Sequence, residues 1–163
     1  MLSQPLRILS PKINLFFKGR KNSFKILKEE INPSNKNIWF HVSSLGEFEI
    51  AKPMIESLKS EIDDLKVIVT FFSPSGYLPK KDYKDADKVM YLPPDCPRNA
   101  KFFIKTLQPQ IAIFIKYEFW YNYLSVLKQH GVPTVFISVL FRKNQLFFKW
   151  YGAWFRNRLQ NID

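Results

Sequence analysis

Cysteine and histidine are nearly missing from this chain of 163 residues, which has one Cys and two His. The single Cys96 rules out an internal disulfide, and with His41 and His130 it makes a poor ligand set for a structural metal site. A reducing, cytoplasmic compartment follows as the natural expectation. No apolar run approaches the roughly 18 residues that a membrane-spanning helix needs. Met1 to Ser10 has no charged region followed by an apolar core, so a secretion signal is not expected. Glycine is scarce, at 5 residues, and no G-x-G-x-x-G stretch follows the first predicted strand. That weakens a dinucleotide-binding reading.

Acidic residues are also short, 14 against 25 Lys and Arg, which leaves a formal charge of +11. Such an excess favours an anionic partner: nucleic acid, a phosphorylated lipid or a membrane surface. Aromatics are plentiful at 17%, and hydrophobic residues reach 46%, enough to bury a substantial core.

Five short apolar runs occupy the middle of the chain: Ile38–Val42, Val67–Phe72, Lys88–Leu92, Ile111–Ile115 and Thr134–Val139. Each is rich in β-branched or aromatic residues and short enough to be a strand buried on both faces. Segments with helical spacing lie between them, at Glu47–Ser60, Asn99–Leu107 and Trp120–His130, the last ended by Gly131. This alternation predicts an α/β fold, a Rossmann-like parallel sheet with helices on both faces. Residues 1–36 read as a basic helical lead-in and 37–163 as the Rossmann-like domain. Phe141 to Leu159 is again basic and aromatic.

Open parallel sheets bind ligands beyond the carboxyl ends of their strands. There the chain carries Ser43-Ser44-Leu45-Gly46-Glu47, Ser73-Pro74-Ser75-Gly76, Pro93-Pro94-Asp95, Lys116-Tyr117-Glu118 and Ser138 to Arg142. Glu47 falls in the first turn of a helix, where the dipole and free N–H groups favour a carboxylate. It can take a proton from a hydroxyl there, or merely complement the dipole, and spacing alone favours the second. Glu118, beside Phe119 and Trp120, is equally a polar-ligand residue or a helix cap. Ser73 to Gly76 can offer N–H groups to an anion or simply start a helix.

At these loops the sequence resembles the N-terminal domain of the Kdo (3-deoxy-D-manno-octulosonic acid) transferases of lipopolysaccharide synthesis. Their H-x-x-S-x-G-E pattern matches His41 through Glu47 after Trp39-Phe40. Their T-x-x-(T/S)-P-(T/S)-G loop matches Thr70 through Gly76. L-P-x-D matches Leu92 through Asp95, and an acid–tryptophan–asparagine element matches Glu118, Trp120 and Asn122. The resemblance covers roughly residues 10 to 160. The chain departs from it at Lys116, where many relatives have an acid, at Tyr121, where Pro is common, and at Ser138 to Arg142, where relatives often read N-A-R-L-S.

The resemblance implies the first half of a two-domain glycosyltransferase-B enzyme, with a donor-binding second half beyond Asp163. It makes Glu47 the catalytic base and puts Ser44, Gly46, Glu118, Trp120, Asn122, Ser73 and Gly76 around the acceptor. Transfer would run from CMP-Kdo to lipid A precursor with no cofactor and no metal, at the cytoplasmic face of the bacterial inner membrane. The fragment alone is expected to be inactive. Arg20, Lys21, Arg142 and Lys143 are candidates for contacts with phosphates or an anionic membrane surface. The alternatives are a glycosyltransferase-B domain for another acceptor, or a basic membrane- or nucleic-acid-binding module. Nucleic acid is disfavoured because no recognition signature is present.

Overall fold

The computed structural model describes residues 11–116 and 119–139, with side chains from Lys18 onward. Five strands form one all-parallel sheet: β1 (Lys36–Val42), β2 (Leu65–Phe71), β3 (Lys88–Tyr91), β4 (Ile111–Ile115) and β5 (Thr134–Ile137), in the order β3-β2-β1-β4-β5. Around it lie α1 (Pro11–Glu29), α2 (Leu45–Glu61), α3 (Pro74–Lys80), α4 (Pro97–Leu107) and α5 (Tyr121–Gln129). The expected α/β architecture is therefore present.

Successive strand residues point to opposite faces, and both faces are dry. Trp39, Ile68, Met90, Ala112 and Phe114 face Leu27 of α1, Phe103 and Leu107 of α4, and Tyr123 and Leu127 of α5. Phe40, Val69, Phe71 and Ile113 face Phe48, Ala51 and Ile55 of α2 on the other side, with Tyr77 of α3 packed against them. This two-sided burial explains why the strands read as unbroken apolar runs.

Three expectations shift in detail. The segment between β2 and β3 contains a short helix, α3, so Ser73 to Gly76 does start a helix, one that the expected helical segments did not include. The second and third strands each end one residue earlier than their apolar runs, leaving Phe72 and Leu92 just past the sheet. The fifth stops at Ile137, because Ser138 turns into the left-handed region at φ 58°. Gly131 closes α5 as expected: at φ 65° it adopts a conformation that glycine takes without strain, and its N–H bonds to the Lys128 carbonyl. Among the described residues, no helix is long and apolar enough to cross a membrane.

Candidate functional site

In this strand order the chain direction across the sheet reverses between β1 and β4. The loops leaving them go to opposite faces, and this switch point is where open parallel sheets take ligands at the carboxyl ends of their strands. The β1–α2 loop forms one wall. Ser44 is the N-cap of α2 and its hydroxyl accepts the Glu47 N–H at 3.4 Å. The Ser43 N–H donates to Glu47 Oε2 at 2.6 Å. Glu47 thus turns its half-buried carboxylate back over the tip of β1. Helix dipole and N–H bond both favour negative charge there. These bonds make Glu47 a complement to the helix terminus, the first of its two readings to have a visible basis.

Gly46 lies in the same turn with nothing within 4 Å of the place a Cβ would occupy. Gly46 is the second residue of α2, and the space beside it and the first N–H groups of the helix is open.

The β2–α3 loop is stitched to this wall. The Phe72 N–H bonds to the Val42 carbonyl at 3.2 Å and the Ser73 N–H to the Ser43 carbonyl at 3.0 Å, so the β1–β2 ladder runs two residues past the strands. Ser73 is the N-cap of α3, accepting the Ser75 N–H. Gly76 is buried, and a Cβ there would come within 2.6 Å of the Phe71 ring and 3.0 Å of the Leu45 nitrogen. Its absence of a side chain lets α3 dock against the start of α2. Gly76 and Ser73 therefore shape the wall, whatever they touch beyond it.

The opposite wall is aromatic. Trp120, just before α5, sets its ring edge-on to His41 at 5.5 Å between centroids, and tilted against Phe72 at 5.1 Å. Beneath it His41, Trp39 and Thr70 are fully buried. The Thr70 hydroxyl accepts the Trp39 indole N–H at 2.7 Å and lies 2.9 Å from His41 Nδ1. One hydroxyl thus links β1 and β2 beneath Trp120.

Asn122 faces the β3–α4 loop. Its N–H donates to Asp95 Oδ1 at 3.1 Å and its side-chain amide to the Asp95 carbonyl at 3.2 Å. The Asp95 carboxylate also receives the N–H groups of Tyr121 and Tyr123, so it caps α5 from another loop. Burial raises the Asp95 carboxyl above its ordinary value, although these bonds pull the other way. The Tyr123 hydroxyl donates to the Pro93 carbonyl at 2.9 Å and locks the same junction.

Arg20 is not on the surface. At 5% exposed it reaches from α1 to the carboxyl edge, where Nε donates to the Leu92 carbonyl at 3.0 Å. Its guanidinium lies 4.9 Å from the Phe72 ring centroid and 5.9 Å from that of Tyr91. Desolvation lowers its pKa to about 10, which leaves it cationic at neutral pH. Of the pair proposed for outer phosphate contacts, only Lys21 is exposed. Glu118, Arg142 and Lys143 lie outside the described residues.

The structure thus gathers Ser44, Gly46, Glu47, Ser73, Gly76, Trp120 and Asn122 along one edge. Sequence reasoning missed Thr70 as a buried node, Asp95 as the cap of α5 and Phe72 as an exposed ring. Thr70 and Asp95 stood within matched motifs, but only contact geometry reveals what they hold. Two non-glycine residues with positive φ, Lys116 at 61° and Ser138 at 58°, end β4 and β5 on this same edge. Among the described residues, no three His, Cys, Asp or Glu side chains form a group that could hold a metal ion.

The family model described as 3-deoxy-D-manno-octulosonic-acid transferase (kdotransferase) matches residues 18–163. A protein of Haemophilus influenzae named 3-deoxy-D-manno-octulosonic acid transferase is 31% identical over 104 residues, 63% of this chain and 24% of that protein. Its namesake in Aquifex aeolicus is 31% identical over 114 residues, 68% of this chain and 30% of that protein. One of Chlamydia trachomatis serovar D is 25% identical over 140 residues, 80% and 32% of the two chains. The chain spans about a quarter to a third of the length of the curated relatives it matches.

Proposed function

The chain belongs to the 3-deoxy-D-manno-octulosonic-acid transferase family, and on that premise we propose that it is the acceptor-side domain of a glycosyltransferase moving Kdo from CMP-Kdo to lipid A precursor. Glu47 is the base. A hydroxyl of the acceptor's glucosamine disaccharide gives its proton to the Glu47 carboxylate as the oxygen attacks the anomeric carbon of Kdo. The bond from that carbon to the CMP phosphate breaks, and CMP leaves with the electron pair. Attack opposite the leaving group inverts the anomeric centre. No metal or cofactor takes part.

One observation supports the reading: the Glu47 carboxylate accepts the Ser43 N–H just past the end of β1, the strand beside the topological switch to β4. A base must lie within hydrogen-bond reach of the proton it takes, and a preset carboxylate beside open space above Gly46 meets that need. Ser44, Gly46 and Ser73 are assigned to one side of the acceptor, with Gly76 packed behind them, and Trp120 and Asn122 to the other; Glu118 is assigned to the acceptor as well. The donor is held mainly by a second domain outside these residues, in keeping with the greater length of the relatives.

The formal +11 charge suits an acceptor that carries phosphates in an anionic membrane. Lys21, Arg142 and Lys143 are assigned to that surface, at the cytoplasmic face of the inner membrane, with Arg20 kept for the carboxyl edge. Incubation of labelled CMP-Kdo and lipid A precursor with the enzyme carrying this domain is expected to yield labelled glycolipid, and the isolated 163 residues are expected to yield none. Absence of product with the former would refute the assignment. Product with the latter would refute the division of labour between domains.

A further inference from the structure

The positive charge of the molecule is not spread evenly over the two faces of the sheet. Helices α1 and α4 cover the same face and meet through Phe24 and Phe102, whose ring centroids lie 5.8 Å apart. On α1 the exposed cations Lys18, Lys21, Lys25 and Lys28 follow helical spacing, which puts them on one stripe. Arg98, Lys101 and Lys105, all exposed, do the same on α4. Glu29, in the last turn of α1 and 3.8 Å from Lys25, is the one acid in either helix. The other face is mixed, since α2 carries Glu47, Glu49, Glu56 and Glu61 against Lys52 and Lys59.

A hollow of about 320 Å³ opens where the two helices meet, lined by Phe24 and Lys28 of α1 and by Arg98, Asn99 and Phe102 of α4. Two cations and two rings border it, and no acid does. Lys28 Nζ lies 5.8 Å from the Phe102 ring centroid. The Asn99 amide donates to the Pro94 carbonyl at 2.9 Å. Neither Lys28 nor Arg98 makes an ion pair among the described residues. Like charges on neighbouring stripes repel one another, a cost that an anionic partner removes.

The extent of the patch narrows the partner. Each stripe runs about 10–15 Å along its helix, so a single small anion would fill the hollow and leave the outer cations unmatched. A bilayer surface matches all of them: its phosphates meet Lys and Arg while aromatic rings settle at the interface. Arg98 follows directly on the β3–α4 loop, whose Asp95 holds Asn122, so the patch begins beside the carboxyl edge where the acceptor is assigned.

We infer that the α1–α4 face is the surface by which the domain rests on an anionic lipid bilayer, with a lipid phosphate in the hollow between Lys28 and Arg98. The inference rests on the membrane reading above and deepens it by naming the face.

The test is flotation of this chain over a lipid titration, with vesicles of phosphatidylcholine alone or with about a quarter phosphatidylglycerol. Wild type should float with the anionic vesicles and stay behind with the neutral ones. Lys28→Gln with Arg98→Gln should weaken binding about 30-fold, each cation at an anionic surface counting for roughly fivefold. Lys52→Gln with Lys81→Gln removes the same charge from α2 and the end of α3, on the opposite face. That pair should stay within about twofold of wild type, with thermal melting to check that each variant is folded. Equal losses from the two pairs would show that net charge is read and not this face, which overturns the inference and leaves the membrane reading intact. Duplex RNA bound more tightly than the anionic vesicles, and released by the Lys28 and Arg98 substitutions, would assign the face to nucleic acid and equally overturn it. No flotation of wild type would overturn both inference and membrane reading.

Discussion

Replacing Thr70 by valine is a nearly isosteric change that should cost far more than its size suggests. The hydroxyl accepts the indole N–H of Trp39 at 2.7 Å and lies 2.9 Å from His41 Nδ1, and all three residues are fully buried. An indole has one donor and no acceptor, so Trp39 cannot find a second partner without moving its ring. That ring packs against Phe103, Phe114 and Tyr123 at 4.8 to 5.7 Å. A buried donor deprived of its acceptor costs about 1–3 kcal/mol, and the His41 contact adds to it. We expect a total of about 2–4 kcal/mol, or a fall of roughly 5–10 °C in Tm for a chain of this size. Thr70→Ser is the control, since it keeps the hydroxyl and loses one methyl, worth about 1 kcal/mol. Urea unfolding followed by tryptophan fluorescence measures both. Apolar burial alone ranks valine above serine, whereas the hydrogen-bond node ranks serine above valine. A valine variant as stable as the serine variant would refute the node.

Two further outcomes concern the frame around the site. Gly19→Ala should destabilise, although alanine is the better helix former by about 1 kcal/mol. The new Cβ would fall 2.3 Å from Tyr91 Cε2, on a buried ring tilted against Tyr77 at 4.2 Å between centroids, and we expect a net loss of about 1–2 kcal/mol by thermal melting. A gain in Tm would contradict this. At the amino edge of the sheet, burial pushes the Asp87 carboxyl up, but bonds from Lys59, the Val67 N–H and Lys66 more than offset it and hold the group below its ordinary 3.8. Its stabilisation is complete above the unfolded value and fades as pH falls through the lower folded value. Asp87→Asn should therefore lower stability at neutral pH by about 1 kcal/mol and flatten the acid limb below about pH 3.8 in denaturation series. Curves that stay parallel would rule this out.

Much of the scaffold was legible because two-sided burial writes itself as short, unbroken apolar runs. All five such runs became strands of one parallel sheet. That these loops share the carboxyl edge followed from the strand–helix alternation, so Ser44, Glu47 and Ser73 could be grouped before any contact was known, and the family resemblance added Trp120. What stayed hidden depends on side-chain reach. Arg20 reads as one of many basic residues in an amphipathic helix, yet its length carries it under Phe72 to the Leu92 carbonyl. Asp95 looks like a turn residue and caps a helix 27 positions away. Phe72 sits in an apolar run that ends one residue sooner than its composition suggests, and that single residue separates a core ring from an exposed one. The start of helix α3 was readable at Ser73-Pro74, since proline suits a first turn, but its extent was not, because Pro79 falls inside it.

The central claim is that Glu47 takes the acceptor proton, and Glu47→Gln tests it most directly. Glutamine keeps an oxygen for the Ser43 N–H and serves equally well at this helix position, so the fold and acceptor binding should survive. Kdo transfer by the enzyme carrying this domain should lose about 10²–10⁴-fold in kcat, with KM for the acceptor little changed. A glutamine variant that keeps kcat within about threefold of wild type would show that the proton goes elsewhere.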